Sequence, residues 1–535
     1  MSRCRSAFAA CSAALSLVAR PLPAQLSTSE ALARIQVEGR EHSHVMEMAR
    51  TITDYFGPRL TNSPEFERAA TWAVQTAREF GATADVEPWG PMEWPQWSNE
   101  RFSLRMDAPA SLPLTGFPAA WSASTAGRRT GDVVFVDVMH PDGFARYRGA
   151  LRGKWVVAIR PGPILPAPER KAARLSAEQL IDLEKPLVPQ VNPATPLPGD
   201  ARAVPSDTIT WAASHRARCA GLSRLLMDEG ALGLLAPAIG HDGLLTPYDG
   251  MCAMGVRASV IPPLSDGRSP TPPVILLAPE AVGRLLRLTE DGVRVRVEAE
   301  MVNRIVPSKG TASNVIAELR GSDASVRDEV VMFGAHLDSW HVGTGATDNG
   351  GNAAVMLEAL RILRASGVPL RRTVRLALWS GEEQGLLGST AYVRQHFGTS
   401  DERGRHLTPE YDRLAVYFNL DNGVGSIRGV YLQGNAAAAP MLSAWMTPLH
   451  DLGVTAVSAR STGGTDHVPF AALGLPAFQL IQDPLEYTAT TWHTSQDTFE
   501  RLPVADLTRN AVTIASLVYQ AANAEHVLPR RSLPQ

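Results

Sequence analysis

Six side chains able to do metal or proton chemistry fall at the ends of short apolar segments in the second half of the chain. They are His336 (Ala335-His336-Leu337-Asp338), Asp348 (Thr347-Asp348-Asn349-Gly350-Gly351), Glu382 and Glu383 (Ser380-Gly381-Glu382-Glu383), Asp421 (Asn419-Leu420-Asp421) and His493 (Trp492-His493-Thr494). Imidazole with carboxylate is the donor set of zinc and similar divalent ions. One catalytic zinc needs three protein donors and an open position. Here His336, Asp348, Glu383, Asp421 and His493 can all coordinate, with Glu382 to spare, and that surplus points to two ions. If one carboxylate bridges, each ion receives one His, one terminal carboxylate and a share of the bridge. Two ions about 3.5–4 Å apart can acidify a shared water and clamp both oxygens of a tetrahedral intermediate. Glu382, unligated beside that water, is the expected general base. Asp338, two residues past His336, is expected to accept the imidazole's other N–H and hold its tautomer. Singly, none of these carries much weight. A strand-end His is more often structural, a Glu-Glu pair is usually a solvated turn, and Asp348 alone reads as a helix cap. The joint placement is what counts.

The segments that must position these groups alternate between strand and helix. Asn314–Leu319 and Glu329–Gly334 read as strands flanking a turn-rich stretch, Gly321–Asp328, and suggest a hairpin. Asn352–Arg364 has helical spacing, Val374–Trp379 reads as a strand, Leu387–Gln395 as a helix, and Leu414–Leu420 and Ala477–Ile481 as strands. Such alternation implies a mostly parallel sheet covered by helices on both faces, with ligands gathered at the carboxyl ends of its strands. Upstream, two helical stretches are expected, the second running from Glu65 to Glu79 behind Ser63-Pro64. From about Leu112 the texture is β-rich, with strands at Gly131–Val136, Lys154–Ile159, Val274–Leu277 and Val293–Val297. Ten of the 40 prolines lie between Pro161 and Pro205, an irregular excursion of the length usual for lids, linkers or binding elements.

Composition excludes several classes. With 44% hydrophobic and 20% charged residues the chain is too apolar for a disordered protein. Its 51 Lys and Arg against 54 Asp and Glu, net −3, offer no basic excess for nucleic acid. No apolar run past the first 20 positions is long enough to span a membrane. Arg3 and Arg5, then an apolar run from Ala7 to Ala19 and Pro21-Leu22-Pro23-Ala24, read as a signal peptide over residues 1–24, hence a secreted or periplasmic protein. An N-terminal anchor or a plain first helix are the alternatives. Cys4 and Cys11 would leave with that segment. Cys219 and Cys252 would remain, as a disulfide or as two buried thiols.

Gly334-Ala335-His336-Leu337-Asp338-Ser339-Trp340, Gly345 to Gly351, and Leu378-Trp379-Ser380-Gly381-Glu382-Glu383-Gln384-Gly385, with the 12-residue step from His336 to Asp348, resemble the co-catalytic zinc exopeptidases. That group includes aminopeptidase Y and plasma glutamate carboxypeptidase (carboxypeptidase Q). The resemblance covers about Ser313 to Leu502. It implies the phosphorylase/hydrolase-like fold of zinc exopeptidases, α/β with a mixed, mostly parallel sheet. It places His336 and Asp421 on one zinc, Glu383 and His493 on the other, with Asp348 bridging and Glu382 as base. Tyr487 becomes a candidate donor to the oxyanion. Asp466-His467 matches a further segment in which the His is structural or faces substrate, and His341 is read as a surface or supporting residue. Asn349 departs from the pattern, standing where carboxypeptidase Q-like chains carry a second acid.

The middle region resembles a protease-associated insert. The expected organisation is a signal peptide 1–24, an N-terminal helical part of the peptidase domain 25–110, the insert 111–300 with its Pro-rich excursion 161–205, the catalytic domain 301–525 and a tail 526–535. The expected protein is an exported dizinc exopeptidase, with a second copy of itself as the expected partner in a homodimer, that cleaves the amide bond next to a free N-terminus of peptides or dipeptides. In that expectation Glu382 deprotonates a metal-bridging water and returns the proton to the leaving nitrogen. A glutaminyl cyclase-like enzyme, or a catalytically silent receptor or binding relative on the same fold, is the alternative.

Overall fold

The chain enters its first helix, α1 (Thr28–Glu41), through a capping box in which Ser27 accepts from Glu30 N and the Glu30 carboxylate accepts from Ser27 N. Ser63 caps α2 (Pro64–Glu79) by a single bond, accepting from Phe66 N, with Pro64 in the first turn where no amide donor is needed. The computed structural model describes residues 26–532 except 93, 138–140, 159, 162–173, 186–220, 239–242, 248–270 and 402–403. The signal segment, the four cysteines and most of the Pro-rich excursion lie outside the described residues.

Two eight-stranded sheets organise the rest. The main sheet contains β1 (Thr83–Met92), β2 (Gly310–Leu319), β3 (Val330–His336), β4 (Thr373–Trp379), β5 (Leu414–Asn419), β6 (Ile427–Tyr431), β7 (Ala456–Ser458) and β8 (Ala477–Gln482). Its spatial order is β1-β2-β4-β3-β5-β8-β6-β7. The centre, β4-β3-β5-β8, is parallel, while β1-β2, β2-β4 and β8-β6 pair antiparallel. Alternation along the strands sends side chains to two cores. Val331, Phe333 and Ala335 join one core with α1, α2, α3 (Gly351–Ala365) and α5 (Val504–Asn523), while Met332 and Trp379 join another with Tyr392 of α4 (Leu387–His396), Phe470 and Tyr417. Coverage of both faces explains why the central strands read as unbroken apolar runs.

The expected hairpin between 314–319 and 329–334 does not form, because β4 lies between β2 and β3. The 320–329 link instead steps across the start of β4, with Ser322 N donating to Leu370 O. Gly321 passes so near that a Cβ there would sit 2.3 Å from Arg371 O. Val374–Trp379 is almost wholly buried, and a strand apolar on both faces takes the interior position.

The second sheet runs from Gln96 to Val306, and so opens ahead of residue 111. Its longest ladder pairs Gln96–Ala108 with Arg296–Val306. From within this region residues 174–185 cross to the far edge of the main sheet. The helix Ala177–Glu184 lays Leu180 against Ala456 and Ile481, and Arg174 pairs with the buried Asp483 and Asp506 (3.1 and 2.8 Å). Among the described residues no helix is long and apolar enough to cross a membrane.

Candidate metal centre

The carboxyl ends of the parallel strands converge. His336 is the last residue of β3, Glu382 and Glu383 follow β4, Asp421 follows β5, and Asp348 lies just ahead of α3. His493 comes from the long connection after β8, with its backbone left-handed at φ 54°. Asp348 lies between the two imidazoles and turns one oxygen to each. Its Oδ1 is 3.2 Å from His336 Nε2, and its Oδ2 is 3.1 Å from His493 Nε2. Asp421 Oδ1 completes one side, 3.3 Å from His336 Nε2, and Glu383 Oε2 the other, 2.8 Å from His493 Nε2. The structure therefore brings all five sequence-derived donors together as two sets sharing one carboxylate.

This donor set fits divalent ions. His336 Nε2, Asp348 Oδ2 and Glu383 Oε1 are buried and make no hydrogen bond, although buried polar atoms normally have a partner. Two ligands each about 2.0–2.2 Å from one tetrahedral ion lie about 3.3–3.6 Å apart, a spacing that the 3.1–3.3 Å pairs approach and the 2.8 Å His493–Glu383 pair would reach by a small outward shift. Glu382 is nearly buried, and its carboxylate lies close to His336 and Asp421. Burial, reinforced by Asp421, Asp466 and Glu383 and opposed by His336, raises its pKa well above the usual carboxylate range. A carboxyl so perturbed, in a cleft, is a proton-transfer candidate.

Supporting contacts fix these groups. The His336 tautomer is held by the main chain: Nδ1 lies 2.9 Å from the Asp338 carbonyl oxygen and 3.7 Å from its carboxylate. The Asp338 carboxylate instead accepts from Thr61 Oγ1 (2.8 Å) and from the amides of Glu383 (3.3 Å) and Glu382 (3.4 Å). It therefore braces the Glu-Glu turn, a role that spacing along one strand could not reveal. Asn349 donates through Nδ2 to the carbonyl of Leu420, the residue before Asp421 (3.0 Å), which an ionised acid there could not do. The Asp348–Asn349 peptide is cis.

Tyr487 is half-buried on a turn whose ring packs on Gly423. Burial, with Asp348 and Asp421 nearby, raises its pKa well above 10, so the phenol keeps its proton and can donate. Asp497, absent from the sequence expectation, accepts from the amides of Thr347 (2.5 Å) and Asp348 (3.2 Å) and so holds the Asp348 main chain from behind. Its position four residues after His493 was the available signal. A small pocket bounded by Trp340, Val342, Gly343 and Thr494 opens onto Asp348, Glu383 and His493. Trp492, 50% exposed, stacks on the His493 ring at 4.5 Å.

The second sheet and a loop from its part of the chain touch both flanks of this centre. Leu245 O accepts from Ser495 N (2.9 Å), two residues past His493. On the other side His341 is not a surface residue: it is 3% exposed, lies between Trp97 and Phe117, and donates through Nε2 to Pro118 O (2.8 Å). Burial lowers its pKa from 6.5 to about 4, and does the same to His467, whose Nε2 faces Thr462 O. A depressed folded pKa means that the unfolded chain binds the extra protons. The stability these two histidines contribute is therefore complete above pH 6.5 and lost as pH falls through 4. Unfolding free energy is expected to drop over that window by up to roughly 3 kcal/mol per histidine, and His341→Gln to flatten the resulting fall of Tm with pH. Thermal melts across pH would show it; identical slopes would refute it.

Comparison with known proteins agrees with this geometry. Residues 314–518 match the model of peptidase family M28. Human carboxypeptidase Q is 23% identical over 94% of this chain and 90% of its own length. In fold, a peptidase M28 precursor from Shewanella amazonensis superposes with a TM-score of 0.60 at 22% identity, covering 95% of this chain and 99% of that one. A zinc aminopeptidase from Bacillus subtilis gives 0.53 at 20% identity, covering 90% and 95%.

Proposed function

We propose that this chain, which belongs to peptidase family M28 through residues 314–518, is a dizinc exopeptidase that hydrolyses the amide bond next to a free N-terminus of peptides or dipeptides. The observation that carries this reading is Asp348, with one carboxylate oxygen toward each of two His-carboxylate pairs. His336 with Asp421 would hold one ion and His493 with Glu383 the other. Two zinc ions there would polarise the scissile carbonyl and acidify a water beside it.

The remaining steps belong to the chain's own groups. Glu382 accepts the water's proton at its carboxylate and delivers it to the nitrogen that leaves, so that amide and water become carboxylate and amine. Tyr487 donates its O–H to the carbonyl oxygen as negative charge grows there. Asp338 holds the turn that presents Glu382, and Asp497 holds the amides behind Asp348. Trp340 and Trp492 wall the cleft beside His493. The second sheet is read as a protease-associated insert that shapes access to that cleft. Export is supported by the basic start and apolar run of residues 3–19.

The test is metal analysis of the purified chain alongside a panel of free and N-acetylated peptides. Two metals per chain and cleavage of free peptides alone are expected. Equal cleavage of blocked peptides would defeat the exopeptidase reading. One metal with ammonia released from N-terminal Gln would make it a cyclase.

A further inference from the structure

Arg59 is among the largest fully buried side chains, at 0% exposure. Burial lowers its pKa to about 10, so it stays protonated at neutral pH. Among the described residues no carboxylate lies within ion-pair distance of it, although Asp338, Asp348, Glu383 and Asp497 all face it with their fields. A buried cation without a paired acid is costly unless every donor is satisfied. Here all three guanidinium nitrogens donate to backbone carbonyls. Nε donates to Leu337 O (2.7 Å), Nη2 to Gly345 O (2.8 Å), and Nη1 to Thr344 O (2.8 Å), Gly57 O (2.8 Å) and Ile52 O (3.2 Å). The Arg59 main chain adds a two-way pair with Ser339: its N–H donates to Ser339 Oγ (3.0 Å), and its carbonyl accepts from Ser339 N (3.1 Å).

The carbonyls chosen are informative. Leu337 directly follows the donor His336, while Thr344 and Gly345 lie three to four residues ahead of the bridging Asp348. One planar group therefore ties both ends of the 337–345 loop, and anchors them to the 52–59 segment. The chain makes room for it. Gly345 has φ +62°, and a Cβ there would sit 2.9 Å from Arg59 Nη2 and 2.3 Å from Ser339 Cβ. A Cβ at Gly350 would sit 3.1 Å from the same nitrogen.

We propose that Arg59 is a positioning residue that sets the separation of His336 from Asp348, and through it the pairing of the two metal positions. The inference rests on the dimetal reading above. Its distinguishing consequence is on metal affinity rather than on fold stability alone, because outer contacts that orient ligands typically govern about 10–100-fold in affinity.

The test titrates zinc into chelator-treated full-length wild type, Arg59→Met and Arg59→Lys by calorimetry, and follows thermal unfolding before and after loading. Wild type is expected to take up two equivalents. Arg59→Met should bind about 10–100-fold more weakly at one or both positions. With zinc saturating, its kcat should fall while KM for a free peptide holds. Arg59→Lys should fall in the same direction, since one ammonium keeps the charge but cannot reach carbonyls at both loop ends. Variants that unfold at lower temperature yet bind zinc as tightly as wild type would reduce Arg59 to scaffold and overturn the proposal. If Arg59→Met does not fold, Arg59→Lys decides alone. A wild type that takes up fewer than two equivalents would defeat the dimetal reading instead.

Discussion

Glu382→Gln is expected to keep both metals and to lose about 10²–10⁴-fold in kcat, the usual contribution of a positioned general base. The substitution preserves shape and volume, so the Glu-Glu turn braced by Asp338 stays in place. What disappears is the ability to take a proton from water and give it to the leaving nitrogen. KM for a free peptide should change little, because only an interaction made in the transition state is removed. Because the Glu382 carboxylate lies close to His336 and Asp421, metal content must be measured with kcat. Two metals with lost turnover identify a base, whereas one metal identifies a ligand. Retained turnover removes Glu382 from both roles.

Asp348→Ala should have the other large effect. Each oxygen of this carboxylate faces a different imidazole, so one truncation takes a ligand from both positions. Metal content is expected to fall from two per chain to one or none, and hydrolysis to the background. Stability gives an independent readout. Zinc at 100 times its Kd stabilises a folded chain by about 2.7 kcal/mol per site, or about 5 kcal/mol for two. For a domain of this size that amounts to roughly 10 °C in Tm. Wild type should show that rise on loading and Asp348→Ala should not. A variant that still gains the full rise would show that the two positions do not share Asp348.

The positions of the donors were legible because each sits at the end of an apolar run, and a parallel sheet collects such ends at one edge. The 12-residue step from His336 to Asp348 and the adjacent Glu382 and Glu383 added to that. What could not be read was whatever depends on contacts distant in sequence. The hairpin expected around 321–328 failed because β4, from further along the chain and buried on both faces, takes the place between β2 and β3. Arg59 gave no motif, since its partners are backbone carbonyls nearly 280 residues away and any residue supplies a carbonyl. Only the glycines at 345 and 350 hinted that something bulky packs there. His341 read as either a surface or a supporting residue because its burial is completed by Trp97, Phe117 and Pro118 from the other sheet. Asp338 was placed in the right neighbourhood but with its carboxylate and carbonyl roles exchanged.

Residues 174–185, which fall in sequence between the second sheet's strands Trp155–Val157 and Gly233–Pro237, fasten to Asp483 and Asp506 beside the main sheet. Arg174 thus clamps this segment at two points, one of them Asp483, at the root of the connection that carries Tyr487 and His493. Without Arg174 the buried Asp483 would keep Arg428 and the buried Asp506 would keep Arg509 as ion-pair partner, so the root of that connection would hold two acids with one cation fewer between them.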